Sequence, residues 1–210
     1  MPYAEQDWIE RIKSRSDLST QVTHLTKPGV IDGREIDALD VLIKILRDRR
    51  IIGSNTASGF IVGTVPAVCF MEAPPYSLCE NIDFEYELSK KHDRKPKYNG
   101  FGLMFLKTYV YRRGGRPVIY EETEIAKQFL PATQWWRIVR FDLSNPGNMV
   151  DWTHEREWRV PNNFGFEIDQ ASVLVPSPAM FREFVKRSKQ GEEDVSELVR
   201  CIIPLGSLFL

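Results

Sequence analysis

The densest group of reactive side chains lies between residues 151 and 159, which read DWTHEREWR. If residues 155–160 form an extended strand, Glu155, Glu157 and Arg159 share one face, because successive side chains of a strand alternate. Two carboxylates on one face repel each other unless a cation lies near them, and Arg159 supplies that cation. Crowded carboxylates often mark a functional site, and the same pattern also fits a salt-bridged sheet face.

Two further positions have side chains that suit a functional site. His24 lies in an alternating stretch, residues 21–26, that predicts a strand, and Thr26 follows it. A single strand histidine is either a hydrogen-bonded core residue or a functional donor. Glu72 ends the apolar stretch around Cys69 and is followed by prolines. The end of a strand beside a loop is where sites are often built, although Glu72 also fits a surface charge.

A basic and aromatic stretch covers residues 88–116, where nine basic residues stand against one acid, Asp93. Tyrosines and a phenylalanine are interleaved with them. Such a mixture suits a groove that follows a phosphate backbone and stacks bases, as in proteins that bind single-stranded nucleic acid. It also fits a solvated loop followed by a charged edge strand. The candidate substrate-binding residues are Lys95, Lys97, Tyr98, Arg112 and Arg113.

Common catalytic motifs are absent from the sequence. It contains no GxxxxGK[ST], GxGxxG, HExxH or GxSxG, and its histidines at 24, 92 and 154 lack the spacing of metal ligands. The three cysteines form no CxxC pair, which favours reduced thiols in a cytoplasmic protein. No apolar stretch approaches the ~20 residues that span a bilayer, so we expect no membrane partner.

The elements that must position these residues suggest a single α+β domain over the 210 residues. We expect an N-terminal helix over residues 1–18, a core over 20–176, and a C-terminal helix and strand over 177–210. Strand and helix patterns do not alternate strictly, which favours mixed or mostly antiparallel sheets over a doubly wound parallel sheet. The clearest helix covers residues 36–50, with Asp37 as its N-cap. The residues expected in the core are Leu42, Ile43, Leu46, Val68, Phe70, Leu103 and Phe105.

The order of several short motifs resembles a known family. They read HLT (24–26), VLIKIL (41–46), RIIGS (50–54), AVCFMEAP (67–74), YNGFGLMF (98–105), GGRPVIY (114–120) and EREWRV (155–160). Over residues 20–176 this order resembles bacterial abortive-infection (AbiGi-like) phage-resistance proteins. More distantly, it is similar to ADP-ribosyltransferases of the DarT type.

The resemblance implies a split pair of sheets with flanking helices around a cleft for NAD. His24 and Thr26 would contact the cofactor, Arg50 would meet its pyrophosphate, and Phe70 would stack on nicotinamide. Glu157, with Glu155 as the competing candidate, would stabilise the oxocarbenium-like ribose that forms as nicotinamide leaves. It would also act as base toward the incoming nucleophile.

The expected function is therefore that of an NAD-dependent ADP-ribosyltransferase, acting as a toxin or as an effector of phage defence. The basic and aromatic stretch favours a nucleic-acid acceptor, and a cognate antitoxin or another defence protein is the expected protein partner. Two alternatives remain open at this point. One is a non-catalytic binding or sensor module of a defence system. The other is a metal-dependent nuclease that uses Glu72, Asp151 and Glu155.

Overall fold

A computed structural model describes residues 4–31, 33–58 and 60–209 of the chain. The helices are α1 (Glu5–Lys13), α2 (Ala38–Asp48), α3 (Pro75–Lys91), α4 (Lys107–Arg112), α5 (Thr123–Phe129), α6 (Pro178–Ser188) and α7 (Val195–Leu198). The strands are β1 (Gln21–Leu25), β2 (Gly29–Ile31), β3 (Arg34–Ile36), β4 (Arg50–Ile51), β5 (Ala67–Met71), β6 (Gly102–Leu106), β7 (Arg116–Pro117), β8 (Ile119–Glu121), β9 (Ile138–Arg140), β10 (Glu157–Pro161), β11 (Phe164–Gly165), β12 (Ser172–Val175) and β13 (Cys201–Pro204).

The chain divides into two compact units, each assembled from separate stretches. Unit 1 comprises Met1–Arg49, Ala73–Leu106 and Phe166–Leu210, and unit 2 comprises Arg50–Glu72 and Lys107–Gly165. In unit 1, β13, β12, β6 and β1 lie side by side in that order. The β12–β13 pair is parallel and the other two pairs are antiparallel, so this part of the sheet is mixed.

Unit 2 contains three antiparallel strands in the order β5, β10, β7. Strands β8 and β9 pair in parallel, and β4 pairs antiparallel with β11. Short 3-10 turns at Ala132–Arg137 and Thr153–Glu155 lead into β9 and β10. The mixed strand pairing and the helices beside it confirm the α+β class that the unordered pattern of elements predicted.

The sequence of α2 explains where this helix begins, which face is buried and where it ends. Asp37 accepts a hydrogen bond from the backbone N–H of Asp40, which satisfies a donor that the first helical turn leaves unpaired. The apolar face of the helix is buried, and Arg49 ends it in the left-handed conformation. The predicted helix and its N-cap are therefore confirmed. The predicted core is confirmed too, since Leu42, Ile43, Leu46, Val68, Phe70, Leu103 and Phe105 are all 4% exposed or less.

Helices α3 and α4 were not predicted. Pro75 follows the stretch that ends at Glu72, and it is the first residue of α3, where the missing N–H of proline costs nothing. Most of α3 is solvent-facing, so its sequence shows no clear apolar stripe. Helix α4 begins directly after β6 and reads KTYVYR, whose aromatic and β-branched residues favour a strand.

The N-terminal helix is shorter than predicted, and residues 1–3 of the predicted segment lie outside the described residues. Among the described residues, no helix is long and apolar enough to cross a membrane.

Candidate functional site

The candidate site is built on strands β5 and β10 of unit 2. Their antiparallel register places Arg159 opposite Cys69 and Trp158 opposite Phe70. Because strand side chains alternate, Glu157, Arg159 and Cys69 share one face of this pair, while Phe70 and Trp158 lie on the other. The two faces carry different polar groups.

The first face holds a buried ion pair. The Nε of Arg159 donates to Oε1 of Glu157 at 2.7 Å, and Nη2 reaches Oε2 at 3.3 Å. The Glu157 side chain is 8% exposed and that of Arg159 4%. The longer contact to Oε2 leaves this oxygen with lone-pair capacity, since a carboxylate accepts at about four sites.

The rest of the Arg159 guanidinium is held by the backbone. Its Nη1 donates to the carbonyls of Trp136 and Ile138, and Nη2 donates to the carbonyl of Phe60. Burial by itself would lower the pKa of Arg159, but the neighbouring Glu157 carboxylate outweighs it and the pKa is raised. A cation fixed on three carbonyls therefore positions the Glu157 carboxylate.

Cys69 and Tyr120 lie beside this pair. Burial first, and then the charge of Glu157, raise the pKa of the Cys69 thiol far above its ordinary value, so the thiol stays protonated and is a poor nucleophile. The hydroxyl of Tyr120 accepts a hydrogen bond from the backbone N–H of Glu157 at 2.7 Å. Burial raises the pKa of Tyr120 to about 12, with the charges of Glu157 and Glu155 adding to the shift.

Glu155 does not share the strand with Glu157, which corrects the expectation that residues 155–160 are extended. It ends a 3-10 turn, and Arg156 follows in the left-handed conformation with φ 43°. That backbone conformation breaks the strict alternation on which the expectation depended. Glu155 is half-buried, and its charge contributes to the raised pKa of both Cys69 and Tyr120.

The second face holds another ion pair, between Glu72 and Lys107. Lys107 Nζ lies 2.6 Å from Oε1 of Glu72, and the indole N–H of Trp158 donates to Oε2 at 2.9 Å. The side chain of Arg156 donates to the backbone carbonyl of Glu72. The backbone N–H of Glu72 in turn donates to the backbone carbonyl of Glu155. Glu72 thus ties the end of β5 to the turn that precedes β10.

The alternative of a metal-dependent nuclease needs Glu72, Asp151 and Glu155 as metal ligands, so the contacts of these carboxylates matter. The Glu72 carboxylate already contacts a lysine and an indole, and Asp151 accepts from the backbone and hydroxyl of Thr153. Within the described residues, no three His, Cys, Asp or Glu side chains lie close enough together to hold a metal ion.

The remaining predicted cofactor residues are distributed over both units. His24 is in β1 and Thr26 directly after it, in unit 1; Thr26 is buried and its hydroxyl donates to the carbonyl of Ala38 at 2.9 Å. Phe70 belongs to unit 2, where it is 1% exposed and packs edge to face on Phe164. In this arrangement Phe70 offers no open face for stacking. Arg50 is exposed at the start of β4.

The basic and aromatic stretch does not form one uniform surface element. It runs from the end of α3 through β6 and α4 to β7, and Lys107 within it is buried. Lys95 is exposed, whereas Tyr98 is buried with Lys97 over its ring. In unit 2, Arg112 is exposed and Arg113 lies 3.9 Å from the Tyr109 ring centre.

Two side chains of the site, those of Lys107 and Tyr120, were missed in the sequence, and so were the carbonyls that hold Arg159. Lys107 was counted among surface charges, although it follows an unbroken apolar strand, a position that favours burial. Tyr120 belongs to the motif GGRPVIY, but nothing in its spacing indicates a contact with Glu157. The carbonyls that hold Arg159 leave no signal in a sequence, because every residue has one.

No family model matches the chain, and no curated protein or solved structure is similar to it.

Proposed function

We propose that the chain is an NAD-dependent ADP-ribosyltransferase with an ADP-ribosyltransferase-like split pair of sheets. In this proposal it acts as a toxin or phage-defence effector and transfers ADP-ribose to nucleic acid. The order of the motifs that resemble this class supports the proposal. So does the position of Glu157, at the start of a strand, where the resemblance expects the essential carboxylate.

The geometry around Glu157 is the observation that carries the proposal. Arg159 holds the carboxylate through a 2.7 Å bond to Oε1 and a 3.3 Å contact to Oε2, and a carboxylate can accept at about four sites. A fixed carboxylate can accept a ribose hydroxyl and stabilise the positive charge that develops on the ribose as nicotinamide departs. Glu155, half-buried in the turn before β10, is the second carboxylate available for proton transfer.

Release of nicotinamide from NAD in the presence of single-stranded DNA tests this proposal. Glu157→Gln keeps the shape and one acceptor for Arg159 but removes the negative charge. We expect it to slow nicotinamide release about a hundredfold or more, because the charge acts in the transition state. Asp142→Asn is the matched control, since it removes one carboxylate of an exposed ion pair in the same unit. A folded Glu157→Gln protein with unchanged activity would refute the assignment.

A second candidate function is a non-catalytic binding or sensor module. It is favoured by the structural roles that three predicted site residues fill: Glu157 pairs with Arg159, Phe70 packs on Phe164, and Thr26 bonds to Ala38. If wild-type protein binds single-stranded DNA but releases no nicotinamide, this module is the better description.

A further inference from the structure

Two arginines of unit 2, Arg116 and Arg137, lie around the edge strand β7. Arg116 is the first residue of that strand, and the carbonyl of the next residue, Pro117, accepts from Nε and Nη2 of Arg137 at 3.2 and 3.1 Å. Arg116 therefore begins the strand, and the Arg137 guanidinium is held on the residue next to it.

Neither arginine has a carboxylate partner among the residues that the structure describes. Nη1 of Arg116 donates to the carbonyls of Tyr111 and Gly115, and Arg137 contacts the side chain of Gln134 besides Pro117. Arg140 and Arg159 of the same unit, in contrast, each pair with an acid. Burial and then the charge of Arg116 lower the pKa of Arg137, as expected for neighbouring cations without a counter-charge.

An exposed aromatic ring adjoins this pair. The guanidinium carbon of Arg116 lies 4.0 Å from the centre of the Tyr111 ring, and Tyr111 is 52% exposed. An arginine held on a ring keeps its planar N–H groups oriented, and within the described residues neither Nε nor Nη2 of Arg116 makes a hydrogen bond. The cluster thus offers fixed donors, positive charge and an accessible aromatic side chain.

We infer that Arg116, Arg137 and Tyr111 form a binding site for single-stranded nucleic acid, in which the arginines contact phosphate and Tyr111 stacks on a base. Charge complementarity supports this partner, because a phosphodiester supplies the counter-charge that the arginine pair lacks. Stacking on an exposed tyrosine suits unpaired bases, which present their faces. The inference rests on the proposed function in one respect, that the bound nucleic acid is the acceptor of ADP-ribose. Binding of nucleic acid to this cluster needs no NAD.

The test is fluorescence anisotropy of a short labelled oligothymidylate, titrated with protein at several salt concentrations and without NAD. Arg116→Gln and Arg137→Gln should each weaken binding about tenfold at low salt. Each should also reduce the slope of log affinity against log salt by about 0.7, the value for one phosphate contact on a single strand. Arg140→Gln removes the same charge from an arginine already paired with Asp142 and should leave affinity and slope unchanged.

Tyr111→Leu separates stacking from charge. It should weaken binding about tenfold while leaving the salt slope unchanged, since it removes a stacking face but no charge. A melting curve for each variant checks that the fold is retained. If an arginine variant unfolds, Tyr111→Leu still tests the site, because Tyr111 is exposed. Wild-type binding that none of the three variants weakens, or no binding at low salt, would overturn the inference. Binding without nicotinamide release would contradict the proposed function alone.

Discussion

At the scale of single residues, the buried pair of Glu157 and Arg159 is the centre of the candidate site. Arg159 was expected to neutralise the carboxylates of its own strand, and it does pair with Glu157. The placement of Glu155 beside them was wrong, because the left-handed Arg156 ends the alternation. The sequence could suggest the pair from the spacing of two residues, but not the bonds that Arg159 makes to the carbonyls of Trp136, Ile138 and Phe60.

Replacing Arg159 tests the energetic role of this pair. Arg159→Leu would leave the Glu157 carboxylate buried without its cation, so we expect a loss of about 3–5 kcal/mol in the free energy of unfolding. Urea denaturation measures it. Arg140→Leu breaks an exposed pair and should cost only about 0–1 kcal/mol. Equal losses in the two variants would show that the Glu157 carboxylate does not need its buried partner.

Tyr120 provides a test at alkaline pH. Its pKa in the folded chain is about 12, above the ordinary value of 10, because burial disfavours the phenolate. Its contribution to stability is therefore fully present below pH 10 and is lost as the pH rises toward 12. Tyr120→Phe should remove this part of the alkaline destabilisation, measured as the melting temperature of both proteins across that range. Parallel curves would contradict the buried position of the hydroxyl.

At the scale of elements, unit 1 contains a polar clamp between α2 and α6. Arg187 of α6 bonds to Asp37 and Asp40 at the start of α2 and to Glu183 one turn earlier in its own helix. Burial by itself would raise the pKa of Asp37, but Arg187 and the backbone N–H of Asp40 hold it below its ordinary value. The hydrogen bond from Arg187 also lowers the pKa of Glu183.

The clamp makes the stability of unit 1 depend on pH in the acid range. Since both carboxyl pKa values are lowered on folding, their contribution is present above the ordinary carboxyl pKa of about 4 and is lost as the pH falls below it. Arg187→Gln should lower the melting temperature by about 2–4 °C at neutral pH and less at low pH. A pH-independent loss would indicate packing rather than charge. Arg182→Gln, an exposed position on the same helix, is the control.

Gly102 tests the close pairing of β1 and β6. A Cβ at this position would lie 2.5 Å from the backbone carbonyl oxygen of His24, where neither chain segment can shift freely. We expect Gly102→Ala to destabilise the protein by about 1–3 kcal/mol, as overpacking does. Chemical denaturation measures the loss, and Gly33→Ser at an exposed turn is the comparison. An added Cβ at Gly33 has no atom within 4 Å, although the backbone there is left-handed. A fully stable Gly102→Ala protein would contradict the strand register.

The elements also show what a sequence pattern can and cannot reveal. Helix α2 was predicted because its apolar residues recur on one face. Strand β1 was predicted from alternation and β5 from a short apolar stretch, and β10 was expected within the extended residues 155–160. Helix α3 lacks a clear apolar face and begins at a proline that also fits the end of a strand. Helix α4 is built from residues with strand propensity, so its sequence alone favours a strand.

At the scale of the whole molecule, the division into two units could not be predicted from the order of motifs. Each unit gathers stretches that are distant in sequence, and no linker-like composition marks a boundary between them. His24 belongs to unit 1, whereas Glu157 belongs to unit 2. The contacts that Glu157 makes with Arg159 and Tyr120 all lie within unit 2.

The most direct measurement is the mass of a single-stranded oligonucleotide after incubation with NAD and the wild-type protein, compared with the Glu157→Gln variant. The proposed activity predicts that the wild type adds one ADP-ribose to the oligonucleotide. The folded Glu157→Gln variant should leave it unmodified over the same time. An unmodified oligonucleotide with folded wild-type protein, or equal modification by both proteins, would contradict the account.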